Sequence, residues 1–290
     1  MAVLLTGCGS MQPPSQPTLP QAVEAQTRAP KVGLALGGGA ARGFAHVGVI
    51  QVLEENGIQV DVLAGTSAGS VVAVQYAFGM NGRQLEQAAL GMDEATISDW
   101  TLPLFGRGLI RGEALARYVN QQVNGLTLDQ LRIPVGVLAT DLGSGQGVLF
   151  RRGDTGTAVR ASSAVPGVFS PVNIGGRDFV DGGLVAPVPV ESVRSMGAEL
   201  IIAVDISSAL QDGNGTDVLR TLLRTFTIMG QSINHHALKA ADVVVRPNLA
   251  GMGSADFTSR QRAIAAGREA MQRALPRLRE LLEEKRVPVL

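Results

Sequence analysis

The pentapeptide Gly65-Thr66-Ser67-Ala68-Gly69 has the spacing of a serine set up to attack a carbonyl carbon. An apolar run around Val60 to Ala64 meets it on one side, and the apolar stretch SVVAVQYAFGM continues on the other. On so tight a strand-to-helix turn, the serine Oγ stands above the sheet and the next backbone N–H groups open the helix. Side chains at Gly65 or Gly69 would crowd the turn or the neighbouring strand, while Thr66 and Ala68 are small enough to leave the hydroxyl uncovered. In a chain with 36 glycines the same pentapeptide also fits a plain turn in which Ser67 caps a helix.

Acyl transfer needs N–H donors aimed at a developing oxyanion, and the stretch Leu36-Gly37-Gly38-Gly39-Ala40-Ala41-Arg42-Gly43 offers bare backbone at the start of a helix. Two rival uses of such a loop fit less well. A dinucleotide loop wants Gly-x-Gly-x-x-Gly, but three residues separate Gly39 from Gly43, and Asp61 precedes the second strand rather than ending it. A phosphate loop would need Gly-Lys-Ser/Thr, which is absent. An ordinary helix-starting turn is the remaining alternative.

A serine nucleophile needs a base, and the chain has three histidines. His46 falls on the first helix, where packing or local capping is expected of it. His235 and His236 follow Asp181 in sequence, so Ser67, Asp181 and either histidine have the chain order of an α/β-hydrolase triad. Both histidines lie within a long helical stretch, however, whereas the triad histidine of that fold belongs on a loop. The other candidate is Asp181 alone, in DFVDGGLVAPVPV, where Gly182 and Gly183 let the backbone bend close beneath a neighbouring turn. A carboxylate can take the serine proton directly if burial raises its basicity. A solvent-facing turn aspartate is the plain alternative.

The elements that must position these groups are legible as periodicities. KVGLAL from Lys31, the glycine loop, and the helical spacing of AARGFAHVGVIQVLEENG form one strand-turn-helix unit, and the stretch up to Phe78 forms a second. Two such units in succession imply a parallel sheet with right-handed crossovers, hence an α/β fold. Further strands are expected at Ile133–Thr140, Gly147–Arg151, Arg177–Val180, Leu200–Ile206 and Val243–Arg246. Helices are expected around Gly112–Gln122, Val188–Ser195, Asp217–Ala240 and Ser254–Glu284. One domain, residues 31–290, accounts for them all.

Composition agrees with this class. Of 290 residues, 45% are hydrophobic and 17% charged, enough for a large core. Scarce aromatics with abundant Gly, Ala, Val and Leu suit a parallel sheet under small-residue helices. Basic and acidic side chains balance at 25 each, so nothing favours nucleic acid as a partner. A single cysteine rules out an intramolecular disulfide and a cysteine-held metal cluster.

That cysteine, Cys8 in LLTGCGS, is similar to a bacterial lipoprotein processing site, at which the cysteine is lipidated. Only MAVLLTG precedes Cys8, too little for a signal peptide, so the reading needs a start further upstream; otherwise the likeness is accidental. Residues 1–30 are then an anchor site followed by a disordered Pro-rich tether. Gly9 after the cysteine resembles outer-membrane sorting, which implies the periplasmic face of a bacterial envelope; without lipidation the expectation is cytoplasmic.

Taken in order, GGGAARG, GTSAG and DGG, with ASSAVPGVFSPV between the last two, resemble the patatin-like phospholipase family over roughly Lys31 to Ala209. The resemblance implies a three-layer α/β/α fold and a lipid acyl hydrolase that needs no metal or organic cofactor. Carried over by motif, Ser67 is the nucleophile and Asp181 its sole partner, with the oxyanion held at Gly38, Gly39 and Ala40. Arg42 matches the loop's basic position. Both Ala40 and Ala41 stand between the glycine triplet and Arg42, where the family often has one residue, so the donating amides shift by up to one place. The apolar segment Trp100 to Gly112 is a candidate acyl entrance or membrane contact, with a packed connector as its alternative; Arg107 and Arg111 then serve as solvated flanks. A non-catalytic, membrane-tethered lipid-binding protein of the same fold and a dinucleotide-binding oxidoreductase are the competing classes.

Overall fold

Val32–Leu36, Val62–Thr66, Val135–Asp141 and Leu200–Val204 are buried along their whole lengths, as strands are when helices cover both faces of a parallel sheet. The computed structural model describes residues 27–92, 110–207, 218–253 and 255–288. Cys8, most of the expected tether, and the segment from Trp100 through Arg107 lie outside the described residues.

In chain order the strands are β1 (Thr27–Arg28), β2 (Val32–Leu36), β3 (Val62–Thr66), β4 (Val135–Asp141), β5 (Gly147–Phe150), β6 (Val172–Ile174), β7 (Arg177–Asp181), β8 (Leu200–Val204), β9 (Val243–Val245) and β10 (Val287–Pro288). The helices are α1 (Ala45–Glu55), α2 (Ala68–Phe78), α3 (Gly82–Gly91), α4 (Glu113–Gln122), α5 (Thr155–Ser162), α6 (Val190–Ser195), α7 (Val218–Ala237) and α8 (Arg260–Glu284). The main sheet runs β6-β7-β4-β3-β2-β8-β9, with β5 also paired to β4. Strands β4, β3, β2, β8 and β9 are parallel neighbours, and β5 and β7 run antiparallel to β4.

Side-chain alternation sends the two faces of these strands into different cores. Leu34, Leu36, Leu63, Ile202 and Val204 join α1, α2 and α8 in the larger one. Ala35, Val62, Ala64, Ile201 and Ala203 meet Val190 and Val193 of α6 in the smaller. The result is the expected three-layer arrangement.

Four features differ from the expectation, the first being the edge strand β6, which pairs antiparallel with β7. The body reaches back to Thr27 rather than Lys31, because β1 pairs antiparallel with β10 and Arg28 forms a two-pronged bond to Glu199 at 2.7 and 2.8 Å. Helix α3 was not expected; the reciprocal cap between Asn81 and Gln84 that starts it is a recognisable signal in a polar stretch. Helix α5, eight residues capped by Asp154 on the Thr157 amide, is too short for periodicity to mark.

Candidate active site

Register brings the two key side chains together. Thr66 of β3 pairs with Leu138 of β4, and on the far side of β4 Ala139 pairs with Asp181. Ser67 follows Thr66 directly, so the end of β3 and the end of the antiparallel β7 face one another across the single strand β4. The Ser67 hydroxyl is thereby a neighbour of the Asp181 carboxylate, near enough to favour its ionised form.

Ser67 has φ 52° and ψ −124°, a left-handed conformation that disfavours any side chain and persists only where surroundings enforce it. The enforcement is visible. Its N–H donates to Ser162 Oγ at 2.8 Å, its carbonyl accepts from Ser70 Oγ at 2.6 Å, and Ser70 N–H returns to the same carbonyl at 2.8 Å. A Cβ at Gly69 would stand 2.1 Å from the Leu36 carbonyl oxygen, and one at Gly65 2.5 Å from the Gly69 carbonyl oxygen. Both glycines are therefore set by backbone approaching backbone. Ser67 itself is half-buried, at the foot of α2.

Asp181 is buried, its carbonyl accepting from Thr140 Oγ1 at 2.9 Å and its Oδ1 accepting from the Gly183 amide at 2.7 Å. Burial pushes its carboxyl up to about 6, against the opposing effects of the Gly183 hydrogen bond and the Ser67 hydroxyl. The plain turn-aspartate alternative is thereby excluded. Gly182 crosses directly over β4, where a Cβ would meet the Leu138 carbonyl oxygen at 2.2 Å.

The glycine loop lies against the nucleophile, a Cβ at Gly38 falling 3.2 Å from that of Ser67. Gly37 N–H donates to Val204 O at 3.1 Å, and Gly38 N–H donates to Pro187 O at 2.9 Å. Gly38 is thus a correction: its amide, expected among the oxyanion donors, is spent on Pro187. Among the described residues the amides of Gly39 and Ala40 make no hydrogen bond, and Ala40 holds a left-handed φ of 51°. Arg42 contributes through the loop. Its N–H and Nε both donate to Gly39 O at 3.2 Å, and since a trans peptide points its C=O and N–H opposite ways, this turns the Ala40 N–H away from Arg42. Arg42 is buried, which lowers its pKa, and Asp205 nearby favours its charge. Gly43 faces Ala68 across the start of α2.

The histidines stand elsewhere. His46 is buried, and its Nε2–H donates to Gly37 O at 2.8 Å; burial pushes its pKa down to about 4, so the ring is a neutral strut under the loop. His235 and His236 are exposed on α7 and meet edge-on at 5.3 Å, and among the described residues no hydrogen bond joins either to Ser67 or Asp181. Asp61, which lies before the second strand rather than at its end, accepts from the Val32 amide at 2.6 Å and closes the start of β2.

Two groups escaped the sequence reading. Ser162, whose hydroxyl also donates to Leu138 O at 2.6 Å, sits within ASSAVPGVFSPV, but nothing local marks it as the partner of Ser67. Asp205 accepts from Asn234 Nδ2 at 3.4 Å and Arg246 Nε at 3.3 Å, and Asn234 Oδ1 accepts from Val188 N–H at 3.2 Å, beside Pro187.

A model of the patatin-like phospholipase family matches residues 34–194. An NTE family protein of Mycobacterium tuberculosis is 39% identical over 181 residues, covering 62% of this chain and 50% of that protein. Another from the same organism is 29% identical over 273 residues, covering 84% and 46%. The patatin-like phospholipase domain-containing protein 6 of Mus musculus is 31% identical over 185 residues, 61% of this chain and 14% of that one. The chain thus spans about half the length of the mycobacterial relatives. Among solved structures, VipD from Legionella pneumophila gives a TM-score of 0.58 at 14% identity, covering 90% of this chain and 68% of that chain. The complex of SpcU with ExoU from the type III secretion system of Pseudomonas aeruginosa gives 0.53 at 14%, covering 89% and 54%. At such identities the likeness is one of fold.

Proposed function

Because this chain belongs to the patatin-like phospholipase family, we propose that it is a lipid acyl hydrolase of the phospholipase A or esterase type, working through Ser67 and Asp181. The observation that carries the reading is the meeting, across the single strand β4, of Ser67 with the buried Asp181, beside two backbone amides that have no partner among the described residues. The substrate is a fatty-acyl ester.

Asp181 accepts the Ser67 proton as Oγ bonds to the ester carbonyl carbon. The negative charge moves to the carbonyl oxygen, where the amides of Gly39 and Ala40 stabilise it. Collapse of this adduct breaks the C–O bond to the alcohol, which leaves with the proton from Asp181, and the acyl group remains on Ser67. Water then gives a proton to Asp181 and attacks the acyl carbon; the second collapse returns that proton to Ser67 and releases the fatty acid. A pKa near 6 makes Asp181 a stronger base than an ordinary carboxylate while leaving it ionised at neutral pH. The Cys8 sequence further supports attachment to a bacterial envelope, which loss of radiolabelled fatty acid from a Cys8→Ser chain in cells would test.

Purified full chain should release fatty acid from a phospholipid and p-nitrophenol from a short ester, and a fluorophosphonate should label Ser67. Ser67→Ala and Asp181→Ala should each abolish turnover, whereas His235→Ala and His236→Ala should keep it. Absence of labelling in folded protein would move the chain to the lipid-binding class, and a requirement for either histidine would move it to the triad hydrolases.

A further inference from the structure

Helix α7 is twenty residues long, and Asn234 is its one buried residue. Leu219, Leu222, Leu223, Phe226 and Ile233 are half-buried, while Val218, Ile228 and Met229 are 86%, 49% and 48% exposed. A helix held by core packing hides a continuous apolar stripe, and this one leaves a large part of its apolar surface in water. It carries no carboxylate; its full charges are Arg220 and Arg224, one turn apart on the same side.

The position of the helix matters as much as its composition. A Cβ on Gly167 would stand 2.9 Å from Leu222 Cδ2 and 3.3 Å from Leu219 Cδ1, so these leucines lie on the loop between α5 and β6. Gly230 faces Pro187, whose carbonyl holds the Gly38 amide, and α7 also packs on the turn Gly182–Leu184 that follows Asp181. Asn234 pins the helix by its bonds to Val188 and Asp205. The helix therefore lies across the catalytic end of the sheet.

We propose that α7 is the surface by which this molecule sits on a lipid membrane bearing anionic headgroups, its exposed apolar edge entering the acyl boundary beside Ser67. This rests on the lipid acyl hydrolase reading above, and it names where that substrate is met. The chemistry of the helix selects the occupant: an apolar edge beside the exposed Arg224, on a helix without a carboxylate, complements an anionic interface. A stable protein partner needs about 800 Å² on each side; three apolar side chains interleaved with exposed Thr221, Thr225 and Ser232 offer far less than that. No helix among the described residues is long and apolar enough to cross a membrane, so α7 lies in the plane of the interface.

The test uses the full chain carrying Cys8→Ser, so that no acyl anchor contributes. It is sedimented with vesicles of phosphatidylcholine containing phosphatidylglycerol, and with phosphatidylcholine alone. The anionic vesicles should bind more protein. The double variant Ile228→Ser/Met229→Ser, and separately Arg224→Glu, should each weaken that binding about tenfold and lower the ratio of vesicle hydrolysis to short-ester hydrolysis by a similar factor. Both variants change exposed side chains, and circular dichroism verifies their folding. Vesicle binding equal to that of the parent chain, or a parent chain that does not sediment with vesicles, overturns the proposal. So does light scattering that shows a dimer dissociated by the variants while vesicle affinity is unchanged, which assigns the edge to a second copy. A parent chain that binds vesicles but cleaves neither ester refutes the hydrolase reading while leaving the membrane surface standing.

Discussion

The backbone N–H of Ser67 donates to the Ser162 hydroxyl at 2.8 Å, and that hydroxyl donates onward to Leu138 O at 2.6 Å. One side chain from α5 thereby ties the strained nucleophile turn to β4, the strand that separates Ser67 from Asp181. Ser162→Ala leaves two backbone groups unpaired, each worth about 1–3 kcal/mol when buried. Thermal unfolding should move down by several degrees, and kcat on a soluble ester should fall more than KM changes. An active variant of unaltered stability would show that the tether is dispensable.

Asp181 sets a pH dependence with a definite sign. Its folded pKa of about 6 lies above the ordinary 3.8, so between those values the folded chain binds more protons than the unfolded one. The associated stability is complete below about 3.8 and is lost as pH rises through 6; a shift of about two units corresponds to about 3 kcal/mol. Asp181→Asn should therefore unfold at a higher temperature than the parent chain at pH 8, with little difference at pH 4, while its turnover is abolished. In the parent chain, kcat/KM should decline below about pH 6. A variant less stable at pH 8 would refute the assignment of burial as the dominant cause.

Arg42 acts on chemistry through a carbonyl. With its backbone N–H and its Nε–H both on Gly39 O, it fixes the peptide plane that aims the Ala40 amide. Arg42→Leu should lower kcat by about 10- to 100-fold with KM little changed, since an oxyanion donor matters in the transition state. Steady-state kinetics separate this from a loss of substrate binding, in which KM alone would rise.

Gly38 and Gly69 should respond to alanine in opposite ways. At Gly38 the new methyl meets the Ser67 Cβ at 3.2 Å, a contact that a small shift relieves, so stability should change by about 1 kcal/mol or less while turnover falls by at least tenfold. At Gly69 it meets the Leu36 carbonyl at 2.1 Å, and the chain should fail to fold. Solubility, circular dichroism and ester turnover distinguish the two.

The parts of the site that were legible in the sequence are those built from neighbours in the chain. Gly65, Ser67 and Gly69 declare a strand-turn-helix because glycines and apolar runs lie within a few residues of one another, and the same is true of the loop from Gly37 to Gly43. Asp181 could be paired with Ser67 only through the order of three motifs, because their meeting depends on which strand lies between β3 and β7 and in what register. The occupied amide of Gly38 was not legible at all: its partner Pro187 is distant in sequence, and a carbonyl leaves no trace in residue type. Ser162 was hidden for the same reason, one serine among several, distinguished solely by the strand it touches. The start of the body at Thr27 was missed because two-residue strands carry no periodicity.

Thr27 pairs with Pro288, and Arg28, Glu199, Asp242 and Lys285 are knotted together close by, at the pole where the parallel strands begin. Ser67 opens at the other pole, about 16 Å away along five residues of strand. The body is thus gripped by its base: a label or fusion joined before Thr27 or after Pro288 leaves the opposite mouth unobstructed. A circular permutant sealed across that two-strand ladder, with new ends cut in a surface turn, should keep its catalytic pole intact.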